Sequence, residues 1–325
     1  MSNSTVPIKE FRLELSDLTY TGHDLVRPES VLAQPDGTLW TSDGRGGVTR
    51  INPDGSQQFI GGLGGNEPNG LAMTDDGSLI VANLGSSVVQ KLHPDGHVEA
   101  ILTEVDGVKI TTPNFVFLDS RNRLWISVMT REHHWWPAAA KSRPDGYIVL
   151  IDEKEPRIVA DGIYLTNEVR LDAREEYLYA VETMMNHMIR FRVQPDGSLT
   201  DKEVFGPNNL GAGAAIDGFA FDADGNLWVT LVLRNGLGVI TPDGDHHVVI
   251  EDPREDALKS LEEKIANGTA KPSDMAMTAG PNLQFITSLA FGGSDLRTAY
   301  LGSLAMNRLP TFQSPVAGLP MRHWK

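Results

Sequence analysis

Ser30-Val31-Leu32-Ala33-Gln34-Pro35-Asp36-Gly37-Thr38-Leu39-Trp40-Thr41 places a Pro-Asp-Gly turn between two short apolar runs. Asp-Gly in that setting is a hairpin signal, because glycine takes positive φ at no steric cost. The tripeptide recurs at Pro53–Gly55, Pro94–Gly96, Pro144–Gly146, Pro195–Gly197 and Pro242–Gly244, with Asp75-Asp76-Gly77 and Ala223-Asp224-Gly225 as variants. The longer unit of strand, turn and strand repeats at Gly70–Ala82, Phe115–Ile126, Glu168–Ala180, Gly218–Val229 and Leu289–Leu301, making six copies.

Between copies there is room for two further strands, as in Gly47–Asn52 with Gln57–Gly61 and Val88–His93 with His97–Leu102. Four strands per unit of about 40–50 residues is the signature of a propeller blade. The chain therefore reads as all-β, a six-bladed β-propeller with four-stranded antiparallel blades, forming one domain over 1–325. The last copy lacks an outer strand, and the alternating segment Ile8–Leu15 is expected to supply it. Two segments break the rhythm. Thr130–Arg143 is an insertion after a second strand, and Glu251–Gly280 contains Glu255–Asn267, which carries Ala257, Leu258, Leu261 and Ile265 at helical spacing.

Composition narrows the function. There are 28 basic and 43 acidic side chains, a net charge of −15, which disfavours nucleic acid and anionic membranes as partners. The absence of Cys excludes disulfides, thiol nucleophiles and cysteine-ligated metals. Met1–Glu10 has no basic, apolar leader pattern, and no run of about 18 apolar residues occurs, so a cytoplasmic protein is the default expectation. No G-x-S-x-G, H-E-x-x-H, P-loop or G-x-G-x-x-G motif is present.

The turns also serve as a ruler. Seven residues before the second turn position stand Glu29, Asn69, Asn114, Asn167, Asp217 and Ser288, all polar, each followed by largely apolar residues. First strands line a propeller's axis, so these six groups are expected to converge at one mouth. Two carboxylates, three carboxamides and a hydroxyl suit a hard divalent cation, Ca²⁺ first, with Mg²⁺, Mn²⁺ and Fe²⁺ as alternatives. The missing His and Cys argue against Zn²⁺ or Cu²⁺. A single such Asn would more simply cap its own strand start. Six in register, including two carboxylates that repel one another, favour a cation site.

At these residues the chain resembles the SMP-30/gluconolactonase/LRE-like family of calcium-dependent six-bladed propellers, which includes lactonases and the similar diisopropyl-fluorophosphatase. The matching stretches are Arg27-Pro28-Glu29-Ser30, Glu67-Pro68-Asn69-Gly70-Leu71-Ala72, Thr112-Pro113-Asn114-Phe115, Leu165-Thr166-Asn167-Glu168 and Ile216-Asp217-Gly218-Phe219-Ala220, the last followed by Asp224-Gly225-Asn226-Leu227-Trp228-Val229. The resemblance implies Glu29, Asn167 and Asp217 as metal ligands, Asn114 as a ligand of the metal or of the substrate, and Asp217 also as general base or nucleophile. Sugar-acid lactonases of the family often carry an Arg where this chain has Thr112. That departure implies a less polar substrate, as does the inserted pair Trp135-Trp136.

The expected activity is metal-dependent opening of a lactone or related ester, by Lewis-acid activation of the carbonyl and Asp-assisted attack of water. The alternatives are a metal-dependent lyase or isomerase acting beside a carbonyl, and a non-enzymatic binding scaffold. Thr112, Asn69, His133, His134, Trp135, Trp136, Met185 and Arg234 are the candidates for contacting a small-molecule substrate. For the two histidines a plain surface role competes, for Met185 a packing role, and for Arg234 a solvated loop.

Overall fold

The computed structural model describes residues 6–324, so Met1–Thr5, half of the segment read above for a leader, and Lys325 lie outside it. Six four-stranded antiparallel sheets follow one another along the chain. The first strands of the blades are Val31–Ala33, Pro68–Met73, Pro113–Leu118, Thr166–Leu171, Ile216–Phe221 and Ile286–Gly292. Each touches the first strand of the next blade and the sixth touches the first, which closes the ring.

The closing strand differs from the expected one. Thr19–Thr21 pairs antiparallel with Leu309–Gln313, Thr19 opposite Thr311 and Thr21 opposite Leu309. Ile8–Glu10 and Leu15–Asp17 are 3₁₀ turns instead. The apolar alternation of the earlier segment has another use: Ile8, Phe11 and Leu13 pack on the core shared by the fifth and sixth blades. Pro144–Gly146 also departs from the hairpin reading. It leads straight into the strand Gly146–Ile151, and a Cβ on Gly146 would lie 2.3 Å from Thr166 Oγ1.

One clasp recurs within the blades. The residue just after a first strand accepts the indole N–H of the tryptophan six positions on: Gln34 from Trp40 at 2.9 Å, Asp119 from Trp125 at 3.0 Å, Asp222 from Trp228 at 3.0 Å. Trp125 and Trp228 are wholly buried, so their polar edges need that partner. Asp222 also accepts from Asn226 Nδ2 and from the Asp224 and Asn226 N–H groups. Replacing Asp222 with Ala orphans these donors and is expected to cost about 3 kcal/mol. A urea midpoint measured at constant slope reads this cost, and a change under about 0.5 kcal/mol would show the clasp to be dispensable.

Among the described residues three α-helices interrupt the strands: α1 (Trp136–Ala140), α2 (Glu255–Ala266) and α3 (Pro272–Ala276). The helical spacing at Glu255–Asn267 thus corresponds to α2, one residue shorter. At the far end of the axis the last residues lie across the blades. Arg322 pairs with Asp75 and donates to the Asp119 and Ser120 carbonyls, while Trp324 donates to the Ala33 carbonyl at 2.7 Å. Among the described residues no helix is long and apolar enough to cross a membrane.

Candidate active site

Five of the six first strands slip register against their second strands, and the slip straddles the polar register position each time. The breaks fall between Pro68 and Leu71, Pro113 and Phe115, Thr166 and Val169, Ile216 and Phe219, and Ile286 and Leu289. A bulge inserts a residue without a ladder partner and re-aims its side chain, here at the strand end facing the axis. The N–H groups thereby freed are taken up by hydroxyls of the second strand. Phe115 N donates to Ser127 Oγ at 3.0 Å and Gly218 N to Thr230 Oγ1 at 2.9 Å. Ser30 N does the same to Ser42 Oγ at 3.0 Å, just after Glu29. Glycine follows two of these positions because the neighbouring blade is so close. A Cβ on Gly218 would stand 2.4 Å from the Thr287 carbonyl oxygen, and one on Gly70 2.6 Å from Phe115 Cα.

Glu29, Asn69, Asn114, Asn167, Asp217 and Ser288 are all buried. Their oxygens are conspicuously unsatisfied. Glu29 Oε2, Asn69 Oδ1, Asn114 Oδ1, Asn167 Oδ1 and Ser288 Oγ have no hydrogen-bond partner. A buried acceptor left unpaired costs about 1–3 kcal/mol, so five at equivalent positions around one axis call for an electropositive guest. Among the described residues no group of three or more His, Asp or Glu side chains is arranged to hold a metal ion by itself. A cation here would rest on two carboxylates, Glu29 and Asp217, supplemented by amide oxygens. That all-oxygen set fits Ca²⁺, Mg²⁺ or Mn²⁺.

The electrostatics point the same way. Burial, then the charge of Asp217, hold the Glu29 carboxyl well above its usual range, against the pull of Arg27. Burial and the neighbouring Glu168 push Asp217 up to about 8, with Arg27 and Asn167 opposing. Glu168 is itself raised by burial, though Arg170 and the Phe219 N–H hold it. Without a counter-charge, the floor of this site disfavours its own ionised carboxylates.

Above the floor opens a cavity of about 520 Å³. Glu29, Asn69, Asn114, Asn167 and Asp217 line its base, and its walls are apolar: Leu84, Met129, Leu165, Met184, Val232 and Leu233 from the blades. Trp135 and Trp136 come from the insertion that contains α1, Leu261 and Ile265 from α2, and Met275 from α3. The two indoles meet edge to face, with centroids 5.7 Å apart.

Several sequence candidates lie away from this space. The Thr112 hydroxyl is wholly buried, donating to the Thr130 carbonyl at 2.9 Å and accepting from Thr130 N. Arg234 is held by Glu251 and Glu255. Met185 is turned outward and its neighbour Met184 lines the cavity. His133 and His134 are exposed; His134 Nδ1 accepts from Trp136 N and its ring stacks on Trp135. His134 therefore braces the tryptophans from outside. Sequence reasoning overlooked Arg27 as a wall residue, although it stands two positions before Glu29.

The geometry can be set beside known proteins. Residues 27–259 match the model described as the SMP-30/Gluconolactonase/LRE-like region. This chain belongs to the SMP-30/gluconolactonase/LRE-like family. It is 24% identical over 192 residues to a 6-deoxy-6-sulfogluconolactonase of Pseudomonas putida, covering 59% of this chain and 53% of that one. The chain thus spans about half the length of the curated relatives it matches. A calcium-binding protein, regucalcin, of Agrobacterium tumefaciens superimposes with a TM-score of 0.70 at 16% identity, over 94% of this chain and 98% of that one. A gluconolactonase of Xanthomonas campestris does so with a TM-score of 0.66 at 18% identity, over 91% of each. These two likenesses establish a shared propeller fold.

Proposed function

We propose that this protein is a metal-dependent hydrolase that opens a lactone or related ester less polar than a sugar lactone. The observation that carries the proposal is the set of orphaned, buried oxygens beneath an apolar-walled cavity. Family membership and the lactonase names among its relatives support it. Glu29, Asn114, Asn167 and Asp217 would hold the cation, which supplies Lewis acidity toward a carbonyl oxygen. Asp217 takes the proton of an attacking water or attacks the carbonyl itself, and its buried position keeps bulk water from competing. Asn69, whose Oδ1 is free, orients the substrate at the floor. Trp135, Trp136, Leu261 and Ile265 remove the apolar body of the substrate from water.

The test is a screen of protein stripped by chelator and reloaded with Ca²⁺, Mg²⁺, Mn²⁺ or Fe²⁺, against sugar, aliphatic and aromatic lactones in ¹⁸O-water. Hydrolysis places solvent oxygen in the new carboxylate, whereas a lyase or isomerase does not. An aromatic lactone should outrank a sugar lactone in kcat/KM, and Trp135→Ala should lower the aromatic value about tenfold by removing apolar contact. A preference for sugar lactones would overturn the assignment of low polarity. A blank across the panel would sink the hydrolase itself.

A further inference from the structure

Among the described residues lining the cavity, Arg27 carries the only basic side chain. Its backbone is unusual, with φ at 47°, a region that non-glycine residues seldom occupy. The Glu29 N–H donates back to the Arg27 carbonyl at 2.8 Å, which tightens the turn leading to the floor. Leu165 and Ala215, two residues before Asn167 and Asp217, share this conformation, so it belongs to the way these blades enter the axis and it places residue 27 at the mouth. Here the guanidinium is fixed by one bond, Nη1 to the Pro68 carbonyl at 3.2 Å, which ties the entrance of the first blade to the first strand of the second.

A guanidinium has five N–H donors, and among the described residues that carbonyl is the one hydrogen-bond partner of this group. It forms no ion pair there, unlike Arg234, whose charge is absorbed by Glu251 and Glu255. Two other carboxylates border the cavity. Glu67 is half-buried and Glu262 exposed, and neither is within ion-pair distance of Arg27. If Glu29 and Asp217 face a divalent cation, their charges cancel, and Arg27 remains as the single positive charge on the wall, unpaired with the bordering carboxylates Glu67 and Glu262.

We infer that Arg27 receives an oxyanion substituent of the substrate, a carboxylate or sulfonate carried at a distance from the ester carbonyl. The inference rests on the cavity being the substrate site of the proposed hydrolase. The ligand is then amphipathic: its apolar body lies against the tryptophans and α2, its ester on the oxygen-lined floor, and its anion in the open fork of Arg27. Charge-assisted pairing with a guanidinium gains strength where walls exclude water, and it confers orientation as well as affinity.

The test uses the calcium-loaded protein and two inert probes of nearly equal shape, phenylmethanesulfonate and neutral phenylmethanesulfonamide, with binding read by titration calorimetry. Wild type should bind the sulfonate about tenfold or more tightly than the sulfonamide. Arg27→Gln should erase that difference while leaving sulfonamide binding unchanged, and Arg27→Lys should retain part of it. Equal affinities in wild type would overturn the inference. So would a sulfonate preference that survives Arg27→Gln, since the anion would then be going to the cation. If Arg27→Gln does not fold, the wild-type comparison and Arg27→Lys still decide. Because no turnover is needed, a clear probe preference with no lactone opened would leave Arg27 as the anion site and remove the hydrolase reading alone.

Discussion

Asp217→Asn is expected to lower kcat by about a thousandfold or more on whichever lactone the wild type opens. Asparagine keeps the size of the side chain and one oxygen for a cation, but it can neither accept a proton from water nor attack a carbonyl. General-base contributions run from about a hundredfold to ten-thousandfold, and loss of a nucleophile costs at least as much. The same substitution should move stability the other way. Asp217 is buried beside Glu168 and raises Glu29 in turn, so an uncharged amide relieves repulsion that the metal-free fold carries. A metal-free variant melting above metal-free wild type, together with lost turnover, would separate a chemical role from a structural one. Activity retained within tenfold would end the assignment.

The second large effect concerns the cation. Adding Ca²⁺ to chelator-stripped protein should raise the melting temperature, because binding to the folded state alone stabilises it, by about 2.7 kcal/mol at a hundred times Kd. The sign of the pH dependence follows from the carboxyls. Asp217 sits at about 8 in the fold against roughly 3.9 unfolded, so between these values the metal-free fold holds more protons than the unfolded chain. Stability then falls as pH rises through that window. Bound cation reverses the preference in favour of the ionised pair, so the calcium-induced shift should be larger at pH 8 than at pH 5. Glu29→Gln should weaken the shift at both. A melting temperature indifferent to Ca²⁺ and to chelator would favour a scaffold without a metal centre.

Much of this was readable from turns. Asp-Gly hairpins are local, so blade count and the positions seven residues upstream follow from spacing alone, and Glu29, Asn69, Asn114, Asn167 and Asp217 do lie at the cavity base. The closing strand was not readable. Thr19-Tyr20-Thr21 is three residues long with two exposed, so it shows no hydrophobic period, whereas Ile8, Phe11 and Leu13 alternate because they pack on a core from 3₁₀ turns. Loop residues failed for a related reason. Spacing gives no direction to a side chain outside a regular element, so Arg234, Met185, His133 and His134 could be placed near the mouth but not aimed. Thr112 was misread because its hydroxyl is consumed by the strand partner Thr130, a contact 18 residues away in sequence.

The register slips carry a wider consequence. Five of the six polar side chains at the axis stand on residues that the sheet does not count, and in three blades a hydroxyl of the second strand already serves the adjacent N–H. Donor identity is therefore uncoupled from blade assembly. Evolution can exchange one polar side chain for another, a blade at a time, without rewriting the ladders beneath, so a single scaffold can acquire mouths of different chemistry through individually tolerable steps.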